Sequence, residues 1–283
     1  PAQSPPEIST GLSAALDDLP DGQIIARSSS LLEDRSGASF AGKYKSLFLS
    51  NQGTKAERLT ALEDAIAEIY ASVFGPDPIE YRIERGLLHF NEEMGILIQE
   101  VVGRRAGDNF FPSFAGVAFS SNEFRWSPRI KREDGLIRLV PGLGTRAVDR
   151  TGDDYPVLVS PGQPTLRVST ATHDIVRYAP RKLDVVNLRT RAFATADATA
   201  LLRECGDTYP GARRLISIVE PDHVSLPSAL GPDWQTDDFV ITFEGVLSQT
   251  PFMKQIREIL GCLRDGLGTD VDIEFAHDGE HLY

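Results

Sequence analysis

Between residues 55 and 73 the apolar side chains fall at Leu59, Leu62, Ile66, Ile69 and Val73, in alternating steps of three and four. That spacing predicts an amphipathic helix with one stripe against a core. Met253, Ile256, Leu260 and Leu263 predict a second helix near the C-terminus. Strand signals are spread between them. Gln23-Ile24-Ile25-Ala26 is a short β-compatible run after the turn-like Pro20-Asp21-Gly22. Residues 94–102 form a nearly continuous apolar run interrupted by Gln99 and Glu100, which predicts a buried strand that ends at a binding edge. Residues 117–119, 156–159, 183–188, 214–219 and 239–243 are further strand candidates, and residues 142–164, rich in Gly, Pro and Asp, read as loop. Val271-Asp272-Ile273-Glu274-Phe275 alternates strictly, so Asp272 and Glu274 share one strand face while the three apolar residues share the other. Asp278-Gly279 then signals a hairpin turn, with His281-Leu282-Tyr283 starting the return. No internal repeat or low-complexity tract is present, and the mixture predicts an α+β fold.

Composition narrows the class. In 283 residues, 41% are hydrophobic and 25% charged, which is ordinary globular usage and excludes disorder. The net charge of -12 opposes nucleic acid and anionic membranes as partners, although a local basic cleft can still attract a small polyanion. No apolar run approaches the roughly 20 residues of a membrane helix. Cys205 and Cys262 lie in helix-like segments without a metal-ligand spacing and read as reduced, buried fillers, consistent with a cytoplasmic protein. Pro1-Ala2-Gln3-Ser4-Pro5-Pro6 carries no signal-peptide pattern or initiator Met and reads as a linker in a larger protein.

The densest chemistry lies in Arg27-Ser28-Ser29-Ser30-Leu31-Leu32-Glu33-Asp34, followed by Ser39-Phe40-Ala41-Gly42-Lys43. Arg27 emerges at a strand end. Its planar fork of donors suits phosphate oxygens, while Ser28, Ser29 and the backbone near Gly42 can approach phosphate closely. The same residues also suit a polar loop in which Arg27 pairs with Glu33 or Asp34. Asp272 and Glu274 suit Mg²⁺, which takes one or two carboxylates and completes its shell with phosphate and water. They equally suit the solvated face of a strand. Gln99 reads as a polar residue that ends a buried strand. Gly142-Leu143-Gly144 is either a phosphate-approaching loop or a common tight turn.

Five blocks in order resemble the nucleotide-binding domain of the phosphoenolpyruvate synthase and pyruvate, phosphate dikinase family. They are residues 26–34 with Ser39-Phe40-Ala41-Gly42, Gly95-Ile96-Leu97-Ile98-Gln99-Glu100-Val101-Val102, Gly116-Val117-Ala118-Phe119-Ser120, Gly142-Leu143-Gly144, and Asp272-Ile273-Glu274-Phe275-Ala276. The resemblance runs from about residue 24 to the C-terminus. It implies an ATP-grasp-like, two-lobed nucleotide-binding domain of α+β class with mixed and antiparallel sheets. Residues 1–22 would be a linker or partial N-terminal segment, 23–93 an N-terminal lobe with the phosphate motif, and 94–283 a C-terminal lobe ending in a truncated metal-binding hairpin.

The resemblance also implies roles. Arg27 would be the catalytic cation. Ser28, Ser29, Gly42, Gln99, Glu100 and Val102 would contact ATP, and Asp272 and Glu274 would hold Mg²⁺. The complete enzyme would be a kinase of the dikinase type. It would pass a phosphoryl group to a histidine on a separate domain, which would deliver it to an acceptor domain, both lying elsewhere in the full-length protein. Thr145 and Arg146 depart from the family glutamate after the glycine turn, and Ser121-Asn122-Glu123 departs from its Asn-Pro. The alternative is a nucleotide-sensing or scaffold module that kept the fold and lost the transfer chemistry. None of the five histidines fits the family nucleophile: His173 lacks the flanking glycines and alanine, and His277 and His281 read as exposed turn residues. The glycine-flanked lysine before Arg27 and the glutamine and arginine after Tyr283 are missing. At about 1.5–3 kcal/mol per charged contact, the isolated chain is expected to bind ATP weakly and to be inactive.

Overall fold

The computed structural model describes residues 5–19, 22–33, 44–89, 93–148 and 152–283. In chain order the elements begin with α1 (Pro6–Asp18), β1 (Ile24–Ser30), β2 (Ser46–Leu49), α2 (Lys55–Ser72), α3 (Pro76–Glu84) and β3 (Met94–Glu100). There follow β4 (Arg104–Ala106), β5 (Asn109–Phe111), β6 (Phe114–Phe119), β7 (Leu136–Pro141), α4 (Thr145–Val148), β8 (Val157–Val159) and α5 (Thr172–Tyr178). The remainder is β9 (Lys182–Asn187), β10 (Ala192–Asp197), α6 (Ala198–Cys205), α7 (Ala212–Leu215), β11 (Ile216–Val219), β12 (Val224–Ser225), β13 (Phe239–Ile241), α8 (Glu244–Gln249), α9 (Phe252–Leu267) and β14 (Asp272–His277). The chain divides into two compact units, Pro1–Val101 with Val186–Ala194, and Val102–Val185 with Thr195–Tyr283.

The first unit is built on an antiparallel sheet in the order β2-β1-β3. Ile24 on β1 packs with Leu16 of α1 and Leu62 of α2 in a core that also takes Leu59, Ile66, Leu49 and Ile98. Helix α2 starts where the sequence signals it. Thr54 Oγ1 accepts the Glu57 N–H and Glu57 Oε2 accepts the Thr54 N–H at 2.7 Å, a capping box that satisfies two orphan donors. Of the segment expected to be a linker or partial N-terminal piece, residues 6–18 form a helix: Pro6 opens α1, a position proline tolerates, and Leu16 is buried on the core, while residues 1–4 lie outside the described residues. β3 pairs with β1 along its whole length, so residues 94–101 belong to the first unit and the division falls after Val101, not after residue 93. β3 is also not buried on both faces. Its exposure alternates, and Leu97 is 48% exposed on the face turned away from the helices.

In the second unit the main sheet is antiparallel, in the order β14-β6-β7-β8. One face packs on α8 and α9, with the Phe114 ring set against Phe243 and Phe252, and Phe252 against Phe275. Gly116 permits that packing: a Cβ there would lie 2.1 Å from the Arg138 carbonyl oxygen and 2.8 Å from the Phe275 ring. Smaller sheets run β12-β11-β13 and β10-β9-β5-β4. The stretch expected to be loop holds α4 and β8. Cys205 is buried in α6, where burial pushes its thiol up to about 11, but Cys262 on α9 is exposed, contrary to the expectation of a buried filler. Among the described residues no helix is long and apolar enough to cross a membrane.

The hairpin at the end of β14 corrects a second expectation. His277 is not an exposed turn residue: its ring stacks on Phe114 at 4.7 Å with an interplanar angle of 13°, and its Nδ1 accepts the Gly279 N–H at 2.9 Å. Burial, opposed by Asp278 and reinforced by His281 and Arg214, holds its pKa below the ordinary value of 6.5. The folded state therefore favours neutral His277. Its contribution to stability is complete above about pH 6.5 and is lost as pH falls toward the lowered folded value. Urea midpoints that decline as the buffer is acidified through this range are expected, with His277→Phe flattening the decline; an unchanged slope in that variant would contradict the assignment.

Candidate functional site

In the first unit the register of β1 divides the predicted contacts. Ile24, Ala26, Ser28 and Ser30 face the α1–α2 side, whereas Ile25, Arg27 and Ser29 face the other. Arg27 lies opposite Leu97 and Ser46, and Ile25 opposite Gln99 and Phe48. Arg27, Ser29 and Gln99 therefore share one sheet face, where Ser29 and Gln99 are exposed and Phe193 stacks on Phe48 at 5.7 Å. Ser28 and Glu100 fall on the opposite face. Ser28 Oγ donates to Glu33 Oε1 at 2.9 Å, and the Glu100 carboxylate packs beside Gly22. The Val101 N–H, inside the segment expected to contact ATP, donates to Gln23 O at 2.8 Å. Val102 is half-buried and begins the second unit. Gly42 lies outside the described residues.

In the second unit Asp272 and Glu274 stand on β14, an outer strand of its sheet, with both side chains exposed on the face opposite the phenylalanine core. Val271 and Phe275, of the other parity, are buried and anchor the strand. Partial desolvation, then neighbouring Asp270, pushes the Asp272 carboxyl above its ordinary range, and Arg138 pulls it back. Two carboxylates two residues apart on one strand face are the hard oxygen donors that Mg²⁺ takes. Among the described residues no group of three His, Cys, Asp or Glu could cage a metal alone.

The same face carries residues that the sequence did not single out. Arg138 lies opposite Val117, itself opposite Glu274, and its guanidinium sits 5.2 Å from the centroid of the Phe119 ring, the residue opposite Asp272. The available signal was one cation inside Leu136-Ile137-Arg138-Leu139-Val140. Beside these residues, Val117 and Val140 pack with Ala147 of α4.

The glycine turn after β7 is structural. Gly142 has φ +70 and a Cβ there would lie 2.6 Å from Asp184 O, which also accepts the Leu143 N–H at 2.9 Å. Thr145 and Arg146, which replace the family glutamate, turn into the interior. Thr145 and Thr195 both donate to the Asp184 carboxylate. Arg146, its side chain 8% exposed, approaches Asp153 at 2.7 Å, Asp184 at 3.7 Å and Asp154 at 3.8 Å. His173 is exposed beside Asp174.

The α/β chain with its several antiparallel sheets is an ATP-grasp-like domain. The chain belongs to the pyruvate phosphate dikinase AMP/ATP-binding domain family, which matches residues 1–283. Among curated proteins none matches the chain.

Proposed function

We propose that the chain is the ATP-binding phosphotransferase domain of a phosphoenolpyruvate synthase or pyruvate, phosphate dikinase-like enzyme, which takes MgATP and passes a phosphoryl group to a histidine on another domain. The observation that carries this reading is the Asp272–Glu274 pair, exposed on one sheet face, with a guanidinium held beside it. Asp272 and Glu274 would hold Mg²⁺, whose chemistry when bound is neutralisation of polyphosphate charge. Arg27 binds phosphate oxygens and offsets their charge, and Ser29 and Gln99 line the same sheet face. Phosphoryl transfer is mostly positioning and charge neutralisation, and these residue types supply both.

A second reading, a nucleotide-sensing or scaffold module, is favoured by Thr145 and Arg146, whose side chains serve an internal network in place of the family glutamate. Full-length protein incubated with radiolabelled ATP separates the two. Label on histidine supports transfer, and Arg27→Ala is then expected to reduce it about 10- to 100-fold, as loss of one charge-assisted contact implies. Labelling unchanged in Arg27→Ala would remove Arg27 from the site, and nucleotide binding without any labelled histidine would favour the sensor.

A further inference from the structure

β7 is an interior strand of its sheet, and five of its six residues are buried; the sixth is Arg138. A guanidinium among Leu136, Ile137, Leu139, Val140 and Pro141 needs a reason, because an apolar or β-branched residue would suit that strand better. Pairing with carboxylates alone is a weak reason. Asp272 and Glu274 are exposed, and ion pairs with exposed partners contribute little. The geometry suggests a use. From its own row, Val117 and Glu274, the Arg138 side chain leans onto the Phe119 ring in the row of Asp272, at 5.2 Å from the ring centroid. A guanidinium held on an aromatic face is pre-oriented, so less rotamer freedom is lost when it binds.

We propose that Arg138, held on Phe119, is a phosphate-positioning residue of the second unit, taking a non-bridging oxygen of a polyphosphate whose divalent cation is held by Asp272 and Glu274. It adds to the reading of those carboxylates as the Mg²⁺ ligands and rests on it. Carboxylate pair, aromatic platform and guanidinium form one continuous patch across β14, β6 and β7, on the face opposite the phenylalanine core. A cation at the carboxylates draws a polyphosphate to that edge, and the guanidinium fixes how the rest of it lies. A mere counter-ion behaves differently: its removal would strengthen cation binding and leave nucleotide affinity unchanged or improved.

The test is equilibrium binding of ATP to the full-length protein, with and without Mg²⁺, alongside Mn²⁺ titration without nucleotide. Arg138→Leu is expected to weaken MgATP about 10- to 100-fold and leave Mn²⁺ binding equal or tighter, and Arg138→Lys to recover part of the loss. Phe119→Leu keeps the charge but removes its platform, and an intermediate loss is expected; it also serves if Arg138→Leu fails to fold. MgATP affinity unchanged in Arg138→Leu and Phe119→Leu, while Asp272→Asn with Glu274→Gln abolishes the Mg²⁺ dependence, overturns the role of Arg138 alone. Mg²⁺ dependence that survives the carboxylate double variant overturns both assignments.

Discussion

Full-length protein carrying Asp272→Asn together with Glu274→Gln is expected to bind ATP about a thousandfold more weakly in Mg²⁺ than the parent, with its apo stability unchanged or slightly raised. Both substitutions keep shape and remove charge. Each carboxylate would contribute a charge-assisted contact of about 1.5–3 kcal/mol through the cation, so losing two amounts to about three powers of ten. Stability moves the other way because the Asp272 charge opposes folding: its carboxyl is raised by partial desolvation and by Asp270, and an amide at 272 removes both costs. Opposite signs for binding and stability distinguish a ligand pair from a structural one. The Asp272 carboxyl, lying above its ordinary range, also takes up a proton sooner on acidification than an unperturbed aspartate. Mg²⁺-dependent affinity should accordingly decline as pH is lowered into the acid range, and the double variant should lack that decline. Isothermal titration across pH measures both. Equal MgATP affinity in parent and double variant would remove Mg²⁺ from this face.

Asp184→Ala is expected to cost about 3–5 kcal/mol of stability, read as a fall in the urea midpoint of the second unit with the denaturant slope unchanged. Asp184 is 3% exposed and its carboxylate accepts from Thr145 and Thr195 while lying 3.7 Å from Arg146. Truncation orphans two hydroxyls and leaves a buried guanidinium with only Asp154 and the more exposed Asp153. A buried charge that loses part of its compensation, with two hydroxyls left without their acceptor, is costlier than the intact network was favourable. Asp184→Asn keeps an acceptor and should cost less. A midpoint unchanged in Asp184→Ala would mean that Arg146 and its neighbours are solvated in solution.

Elements with a strong period were legible. The three-and-four spacing from Leu59 to Val73 gave α2, and the period of two in residues 271–275 placed Asp272 and Glu274 on one face because a strand allows no other arrangement. β3 is half-buried although its sequence reads as buried on both sides, because Leu97 is an exposed apolar residue. Pro5-Pro6 masks α1 in the sequence, although Ile8, Leu12, Leu16 and Leu19 recur at helical steps and a proline in the first turn is favourable. Arg138 and Arg146 were opaque for another reason. What surrounds each comes from distant parts of the chain: Phe119 and Asp272 for the first, Asp184 from β9 for the second. Only strand register reveals such neighbours. Cys262 shows the limit of residue-type averages, for a helix position decides exposure, and 262 lies outside the Met253, Ile256, Leu260 stripe.

The Val186–Ala194 tip of the β9–β10 hairpin groups with the first unit, where Phe193 stacks on Phe48. Neither unit is therefore a single continuous stretch of gene. Splitting the coding sequence after Val101 would deprive the first half of that aromatic partner and leave the second with a stray excursion in its middle. Within this chain an exchange of one unit crosses the backbone after Val101, after Val185 and after Ala194.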